Sequence, residues 1–197
     1  MNEFVPNVLL VNGSLSEESS VEVCLRFLGG ALKARGCTVE SFDYSQHPLP
    51  VFHPKKACEG EVYQRLQPCV AQADVLILGT PDYHGSMSGA LKNFLDHFWK
   101  EYAGKLMVSV VASYEKGLTV ADQIRTVSRQ CYSWTLPYAI ACTEGVDVKD
   151  GVLVEGELQN RLLMAARDIS VYGGLLKKQR GADLIDEGPG FMARYRK

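Results

Sequence analysis

The sequence predicts a three-layer α/β protein, in which a doubly wound parallel sheet of five strands is covered by helices on both faces. Short apolar runs alternate with amphipathic helical patterns along the whole chain, as in successive βαβ units with right-handed crossovers. The central runs are almost continuously apolar, which is typical of strands buried on both faces. With 197 residues and 46% hydrophobic content, the chain predicts a single domain, residues 1–197, with strand order 2-1-3-4-5.

The elements follow in regular alternation along the chain. Strands are predicted from apolar runs at residues 8–12, 38–44, 74–79, 106–112 and 138–143. Helices are predicted from apolar spacing of three and four residues at about 19–35, 61–72, 88–102, 119–132 and 157–177. Ser19 and Ser88 are expected to cap the first and third helices. The segments 46–60 and 147–156 are interpreted as loops within the domain, and Lys177 to Arg180 as a solvated helix end.

The composition excludes several classes of function. A net charge of −2 without a basic run indicates no nucleic-acid or anionic-membrane partner. The N-terminus lacks the layout of a secretory signal and no apolar run reaches membrane-spanning length, so a cytoplasmic location is expected. The four histidines lack partners at metal-ligand spacing, which predicts no metal site. The cysteines contain no CxxC pair and are expected to be reduced structural thiols: Cys24, Cys37, Cys58, Cys69, Cys131 and Cys142.

The strand order 2-1-3-4-5 opens a crevice at the carboxyl ends of strands 1 and 3, where ligands bind in this type of sheet. The loop after strand 1 places Ser14, Ser16, Ser19 and Ser20 around the start of a helix. Free N–H groups and hydroxyls at a helix N-terminus are suited to a phosphate. The alternative is that Ser19 only caps the helix and the other serines face water.

The loop after strand 3, TPDYHGSMSGALKNFLD (residues 80–96), is suited to a flat ring. Pro81 restricts the backbone, Tyr83 offers an aromatic face, and Gly85 and Gly89 allow close approach. The alternative interpretation of residues 80–96 is a strand–turn–helix connection that binds no ligand. A phosphate and a flat ring side by side are the two ends of FMN. The first loop has neither GxGxxG nor a GK[ST] sequence, which argues against a Rossmann dinucleotide site or a P-loop.

These residues resemble one family. Gly13-Ser14 with Ser19, and above all the segment 81–96, are similar to the flavodoxin-like NAD(P)H-dependent FMN reductases, whose relatives include azo, quinone and chromate reductases. The resemblance implies that the first-loop serines meet the FMN phosphate and that the third and fourth loops border the ribityl chain and ring. The implied cofactor-binding residues are Ser14, Ser16, Ser19, Ser20, Pro81, Asp82, Tyr83, His84, Gly85, Ser86, Ser113 and Tyr114.

One departure from the family bears on affinity. The family commonly has an arginine two residues after Ser14, whereas Ser16 stands there and is followed by Glu17 and Glu18. A charge-assisted hydrogen bond contributes about 1.5 to 3 kcal/mol, so a neutral hydroxyl in its place weakens FMN binding by about one or two orders of magnitude. We therefore expect reversible FMN binding. Lys116 is a candidate to restore the missing charge.

The predicted function is an FMN-dependent oxidoreductase that takes hydride from NADPH or NADH and reduces a small-molecule acceptor. The flavin carries this chemistry, so no catalytic side chain is assigned, and His84 is expected to contribute its backbone. One alternative is a flavin-binding electron-transfer or carrier protein without its own NAD(P)H oxidation, and another is a fold that has lost FMN. The resemblance implies a homodimer or homotetramer. The aromatic residues invoked for its interface are Phe94, Phe98, Trp99, Tyr102, Tyr132 and Trp134. The ending 181–197 is expected to be mobile or to cover a neighbouring subunit.

Overall fold

The central sheet has the predicted parallel order. The computed structural model describes residues 5–56 and 60–196. The strands are β1 Asn7–Asn12, β2 Thr38–Asp43, β3 Val75–Tyr83, β4 Ser86–Met87, β5 Leu106–Ser113, β6 Trp134–Thr135, β7 Ile140–Thr143, β8 Val148–Lys149 and β9 Val152–Leu153. In the central sheet they run β2-β1-β3-β5, and two short strands, β6 and β7, share the far edge of β5. Val11 of β1 lies opposite Phe42 of β2 and Leu78 of β3.

Helices cover both faces of the sheet. They are α1 Ser20–Lys33, α2 Glu61–Gln72, α3 Gly89–His97, α4 Leu118–Gln130 and α5 Glu157–Ile185, with 3-10 turns at Lys100–Tyr102 and Phe191–Tyr195. Val8 and Leu10 of β1 belong to the core beneath α1 and α5. Leu9 and Val11 belong to the core beneath α2, α3 and α4. Successive side chains of a strand point to opposite faces, so a strand with two cores is apolar throughout. The helices that follow β1 and β3 therefore lie on opposite faces, as a crevice requires.

Ser19 and Ser88 are the N-caps of α1 and α3, as predicted. Ser19 Oγ accepts a hydrogen bond of 3.2 Å from Glu22 N, and Ser88 Oγ accepts one of 3.1 Å from Leu91 N. Each bond satisfies one of the N–H groups that a first helical turn leaves without an internal partner. On the outer surface of α3, Lys92 and Asp96 form an ion pair of 2.7 Å.

The third strand and the following helix differ from their predicted bounds. β3 continues through Tyr83 and turns back into β4, so residues 80–83 are strand rather than loop. α3 ends at His97 because Phe98 adopts an extended backbone, with φ −128° and ψ 150°. Trp99 consequently leaves the apolar face and is 60% exposed, while Phe98 and Tyr102 remain buried. The expected single helix over 88–102 was wrong after residue 97.

Differences also occur in the last third of the chain. The predicted strand 138–143 is shorter, and β6 precedes it on the same edge of β5. The segment 147–156 contains the β8–β9 hairpin instead of a plain loop. α5 extends to Ile185, so the basic residues lie inside it rather than at its end. Lys177 Nζ is 3.0 Å from Asp74 Oδ2, and Arg180 Nε donates to Ala103 O at 2.9 Å.

The chain end packs on its own domain. The 3-10 turn Phe191–Tyr195 contacts the end of α4, where Phe191 stacks on Tyr132 with ring centroids 6.3 Å apart. Arg194 lies over the Tyr132 ring at 4.6 Å. The described part of this segment thus makes contacts within its own chain, and the expected cover of a neighbouring subunit stays a prediction.

Asn93 anchors the segment that follows β2. Its Nδ2 donates to Pro50 O at 2.9 Å and to the Tyr44 hydroxyl, and its Oδ1 accepts from Phe52 N at 2.7 Å. An asparagine side chain can meet a backbone donor and backbone acceptors at once. Residues 50–52 of the Pro- and His-rich stretch are thereby fixed against α3.

Lys105 is buried at the start of β5. Its Nζ donates to Val70 O at 2.6 Å and to Ala71 O at 2.8 Å, which are carbonyl groups at the end of α2. Burial, followed by the nearby charge of Arg180, lowers the pKa of Lys105 to about 7. This ammonium group lies at the amino end of β5, away from the loops that follow the strands.

Free thiols are found at five of the six cysteines, and Cys58 lies outside the described residues. Cys24 of α1 and Cys142 of β7 are fully buried together. Their mutual hydrogen bond and their burial raise the pKa of Cys24, which keeps it a neutral thiol. Over residues 5–56 and 60–196, we find no helix with both the length and the apolar character needed to cross a bilayer.

Candidate functional site

The first and third loops meet directly at the carboxyl ends of β1 and β3. Gly13 N donates to Gly79 O at 2.9 Å, and Ser88 Oγ donates to Gly13 O at 2.7 Å. A Cβ atom at Gly13 would lie 2.7 Å from Leu91 Cβ, so only glycine permits this approach. Gly13 therefore serves the packing of the loop against α3. Two loops far apart in sequence are side by side, as the strand order predicted.

The first loop is partly closed on itself. Ser14 is only 2% exposed. Its N–H donates to Asn12 Oδ1 at 3.0 Å, and its Oγ accepts from Ser16 N at 3.3 Å. Ser16 is exposed, whereas Ser19 and Ser20 are half-buried at the start of α1. The hydroxyls nearest to solvent at the helix start are thus those of Ser16, Ser19 and Ser20, and Ser14 lies behind them.

Carboxylates surround the start of α1. Glu17 and Glu18 are exposed, and within the described part of the chain neither forms a salt bridge. The β8–β9 hairpin approaches from the side, since a Cβ at Gly151 would lie 3.7 Å from Glu18 Oε2. Arg26, a cation close to this loop, pairs with Glu22 at 3.5 Å and donates to Gly151 O at 3.4 Å. The donor groups of this loop fit a phosphate, but the charges beside it are acidic.

The third loop is a tight hairpin. The ladder pairs Asp82 with Met87 and Tyr83 with Ser86. His84 and Gly85 form the turn between them with φ of 57° and 76°, the positive values typical of a two-residue type I′ turn. A Cβ atom at Gly85 would meet nothing within 4 Å, so the space beside the turn is open.

Asp82 joins the third loop to the loop after β5. Its Oδ1 accepts from Gly85 N at 2.8 Å, a bond within its own turn that is common for aspartate. Its Oδ2 accepts from Ser113 Oγ at 3.0 Å. Ser113 Oγ also accepts from Glu115 N at 3.0 Å. One carboxylate therefore sets the relative position of two loops at the carboxyl edge of the sheet.

The surface of the site carries open aromatic rings. Tyr83 is 52% exposed and Tyr114 is 80% exposed. His84 and Ser86 are exposed as well, while Pro81 is buried within β3 opposite Ala112. The predicted ring-site residues are thus brought together, but Pro81 lies inside the sheet rather than on the open surface. This arrangement suits a planar ligand that stacks on aromatic faces with one side open.

Sequence reasoning missed two polar residues of the site. Thr80 Oγ1 accepts from Ser88 N at 2.9 Å and donates to Pro81 O at 2.8 Å, which supports the end of β3. Gln123 of α4 bonds to the hairpin through its side-chain amide. A threonine at a strand end and a glutamine on a helix carry no functional signal in a single sequence. Over the described ranges, no three His, Cys, Asp or Glu side chains form a group that could hold a metal ion.

Comparison with known proteins agrees with this geometry. A family model described as NADPH-dependent FMN reductase matches residues 6–146. An FMN-dependent NADPH-azoreductase of Staphylococcus aureus (strain USA300) is 30% identical over 141 residues, which cover 68% of this chain and 74% of the relative.

Solved structures share the fold. RosB with a bound flavin-derived intermediate has a TM-score of 0.73 at 12% identity, covering 94% of this chain and 90% of its own. The NAD(P)H:(acceptor) oxidoreductase FerB of Paracoccus denitrificans has a TM-score of 0.68 at 18% identity, covering 88% of this chain and 98% of its own. The fold is flavodoxin-like, and the chain belongs to the NADPH-dependent FMN reductase family.

Proposed function

We propose that this member of the FMN reductase family binds FMN across the carboxyl edge of β1, β3 and β5 and uses it to pass electrons from NAD(P)H to a small planar acceptor. The phosphate would lie at the start of α1, near Ser16, Ser19 and Ser20. The ring would lie over the hairpin 82–86 and beside the loop 113–114. The direct bonds between Gly13 and both Gly79 and Ser88 carry this proposal, because they hold a phosphate-type loop against a ring-type loop.

The protein's contribution is binding, orientation and electrostatics. Bound FMN supplies the capacity to accept a hydride and release electrons. Tyr83 offers an aromatic face to the ring. The turn leaves open space beside Gly85, where a nicotinamide or an acceptor has access. No side chain is required as an acid or base, and His84 enters through its backbone.

The acceptor class follows from the shape of the site and from the relatives. A shallow site selects by stacking more than by hydrogen-bond readout, so several planar compounds are admitted. The curated relative is named as an azoreductase, and azo compounds, quinones and free flavins are the acceptors that we propose. A carrier without its own NAD(P)H oxidation is less supported, because the curated relatives are named as NADPH-dependent enzymes.

We also propose a homodimer or homotetramer in the cytoplasm. Three of the six aromatic residues first invoked, Phe94, Phe98 and Tyr102, are core residues. Trp99 and Trp134 are half or more exposed and support an association surface. The free thiols support a reducing compartment. Light scattering across micromolar concentrations tests the association, and a monomer throughout would contradict it. Cell fractionation tests the location.

The decisive experiment is spectroscopic. Apoprotein is titrated with FMN, and the complex is mixed anaerobically with NADPH or NADH while the visible flavin band is followed. Bleaching by either nucleotide, with no partner protein present, supports the reductase. FMN binding without bleaching favours the carrier, and no FMN binding means that the acidic first loop has abolished the cofactor site. None of these three outcomes depends on knowing the physiological acceptor.

A further inference from the structure

Gln123 reaches from α4 to the hairpin of the third loop. Its Nε2 donates to Gly85 O at 3.0 Å. Its Oε1 accepts from Ser86 Oγ at 3.0 Å and from Met87 N at 3.3 Å. The side chain is half-buried between the hairpin and its own helix. All three bonds of this amide therefore go to consecutive residues of one turn.

The hairpin needs support from outside its own backbone. Its ladder has two residues on each side, and so short a ladder is marginal by itself. His84 has a positive φ, which is unfavourable for residues other than glycine. Asp82 accepts a hydrogen bond from the N–H of Gly85, and Gln123 donates one to the carbonyl group of Gly85. The Gly85 residue is thus fixed on both sides by side chains.

We propose that Gln123 is a positioning residue for the flavin, which keeps the hairpin in the shape that FMN contacts. This inference rests on the proposed placement of the ring over residues 82–86. The amide is specific for the task because it supplies a donor for Gly85 O and an acceptor for Met87 N and the Ser86 hydroxyl. α4 begins directly after Gly117, so Gln123 also ties the hairpin to the loop after β5.

A glutamate at this position separates positioning from simple packing. Gln123→Glu keeps the size of the side chain and both acceptor bonds, but the carboxylate loses the donor to Gly85 O and repels that carbonyl oxygen. Protonation of the carboxyl group at low pH restores the donor. Gln123→Met keeps the length and removes all three bonds at every pH. Gln130→Glu makes the same charge change on an exposed site of the same helix and serves as control.

The measurement is the dissociation constant of FMN at pH 8 and at pH 5 for each variant, divided by that of the wild-type chain at the same pH. This ratio cancels the effect that protonation of the FMN phosphate has on the dissociation constant. The charged groups around Gln123 are Asp82 and His84 on the hairpin, Lys92 on α3 and Asp122 on α4. They are present in every variant, so the ratio also cancels their contribution to the pH dependence. Thermal unfolding of each apoprotein shows whether the variant is folded at both pH values.

We expect Gln123→Met to weaken FMN binding about 10- to 100-fold at both pH values, in keeping with the loss of all three hydrogen bonds. We expect Gln123→Glu to weaken it about tenfold or more at pH 8 and to recover at least threefold at pH 5. Gln130→Glu should bind like the wild type. A packing role alone would change thermal stability without this pH-dependent recovery.

Two outcomes overturn the inference and they differ in meaning. If the wild-type chain binds FMN and Gln123→Met binds it equally well, or Gln123→Glu shows no recovery at low pH, Gln123 does not position the flavin. If the wild-type chain binds no FMN, the proposed function itself fails and the inference fails with it. The wild-type titration therefore distinguishes the two failures.

Discussion

Restoring a cation to the first loop tests how this chain holds a phosphate. Ser16 is exposed beside the start of α1, and Glu17 and Glu18 follow it without a salt bridge in the described part of the chain. Ser16→Arg would place a guanidinium group where only hydroxyls and N–H groups are available. We expect this variant to bind FMN more tightly than the wild type.

The magnitude follows from the chemistry of the added bond. A charge-assisted hydrogen bond contributes about 1.5 to 3 kcal/mol, which corresponds to roughly 10- to 150-fold in the dissociation constant. The exposed position and the competing carboxylates reduce this gain, because solvent screens the charge and Glu17 or Glu18 can pair with it. We therefore expect about a tenfold gain at low ionic strength and a smaller gain in salt.

The assay is a titration with FMN and, separately, with riboflavin, which lacks the phosphate. Ser16→Gln is the matched control, because it adds a side chain of similar reach without the charge. Ser16→Arg should tighten FMN and leave riboflavin unchanged, and Ser16→Gln should change neither by more than about threefold. Equal gains for both ligands, or equal effects of both variants, would refute a phosphate at this loop. Sub-nanomolar FMN binding by the wild type would refute the reversible binding expected from the acidic loop.

Three further predictions concern single side chains. Asp82→Asn replaces by an NH₂ group one of the two carboxylate oxygens that accept hydrogen bonds from Gly85 N and Ser113 Oγ. FMN titration of this variant should therefore show about tenfold weaker binding, with little change in the melting temperature. Asn93→Ala removes the bonds that fix the segment after β2; denaturant unfolding should show a loss of about 2 kcal/mol and limited proteolysis should cut there faster. Burial lowers the pKa of Lys105 from 10.5 to about 7 in the folded chain, so between these values the unfolded chain binds more protons and stability rises with pH. From pH 7 to pH 9 the unfolding free energy of the wild type should therefore rise by about 2 kcal/mol more than that of Lys105→Met. Equal pH dependence of the two proteins would contradict this assignment.

The fold was largely readable from the sequence because the three central strands are buried on both faces of the sheet. The runs at β1, β3 and β5 serve cores on both faces of the sheet, and such runs have few other interpretations once helices separate them. Ser19 and Ser88 marked two helix starts for a local reason, since a hydroxyl at that position satisfies a free N–H group. The strand order then brought the two loops of the site together without any knowledge of their contacts.

The errors have local physical causes. The Asp150-Gly151 turn of the β8–β9 hairpin, with φ of 49° and 71°, is a strong hairpin signal, but the flanking strands are too short to show alternation. The spacing of aromatic residues continued past His97, yet Phe98 and Tyr102 reach the core from an extended residue and a 3-10 turn. Apolar periodicity therefore located the buried side chains and missed the end of the helix.

The distribution of polar groups in the site indicates where the affinity for a flavin resides. At the proposed phosphate end, Ser14 is turned inward, and Glu17 and Glu18, which form no salt bridge within the described residues, stand beside the helix start. At the ring end, Asp82 and Gln123 fix the hairpin by five hydrogen bonds to Gly85, Ser86, Met87 and Ser113. A ligand gains most where donors and acceptors are already held in place, because it then pays little ordering entropy on binding. The ring end should therefore supply most of the binding energy, and the phosphate should add little, so FMN and riboflavin are expected to bind with similar affinity.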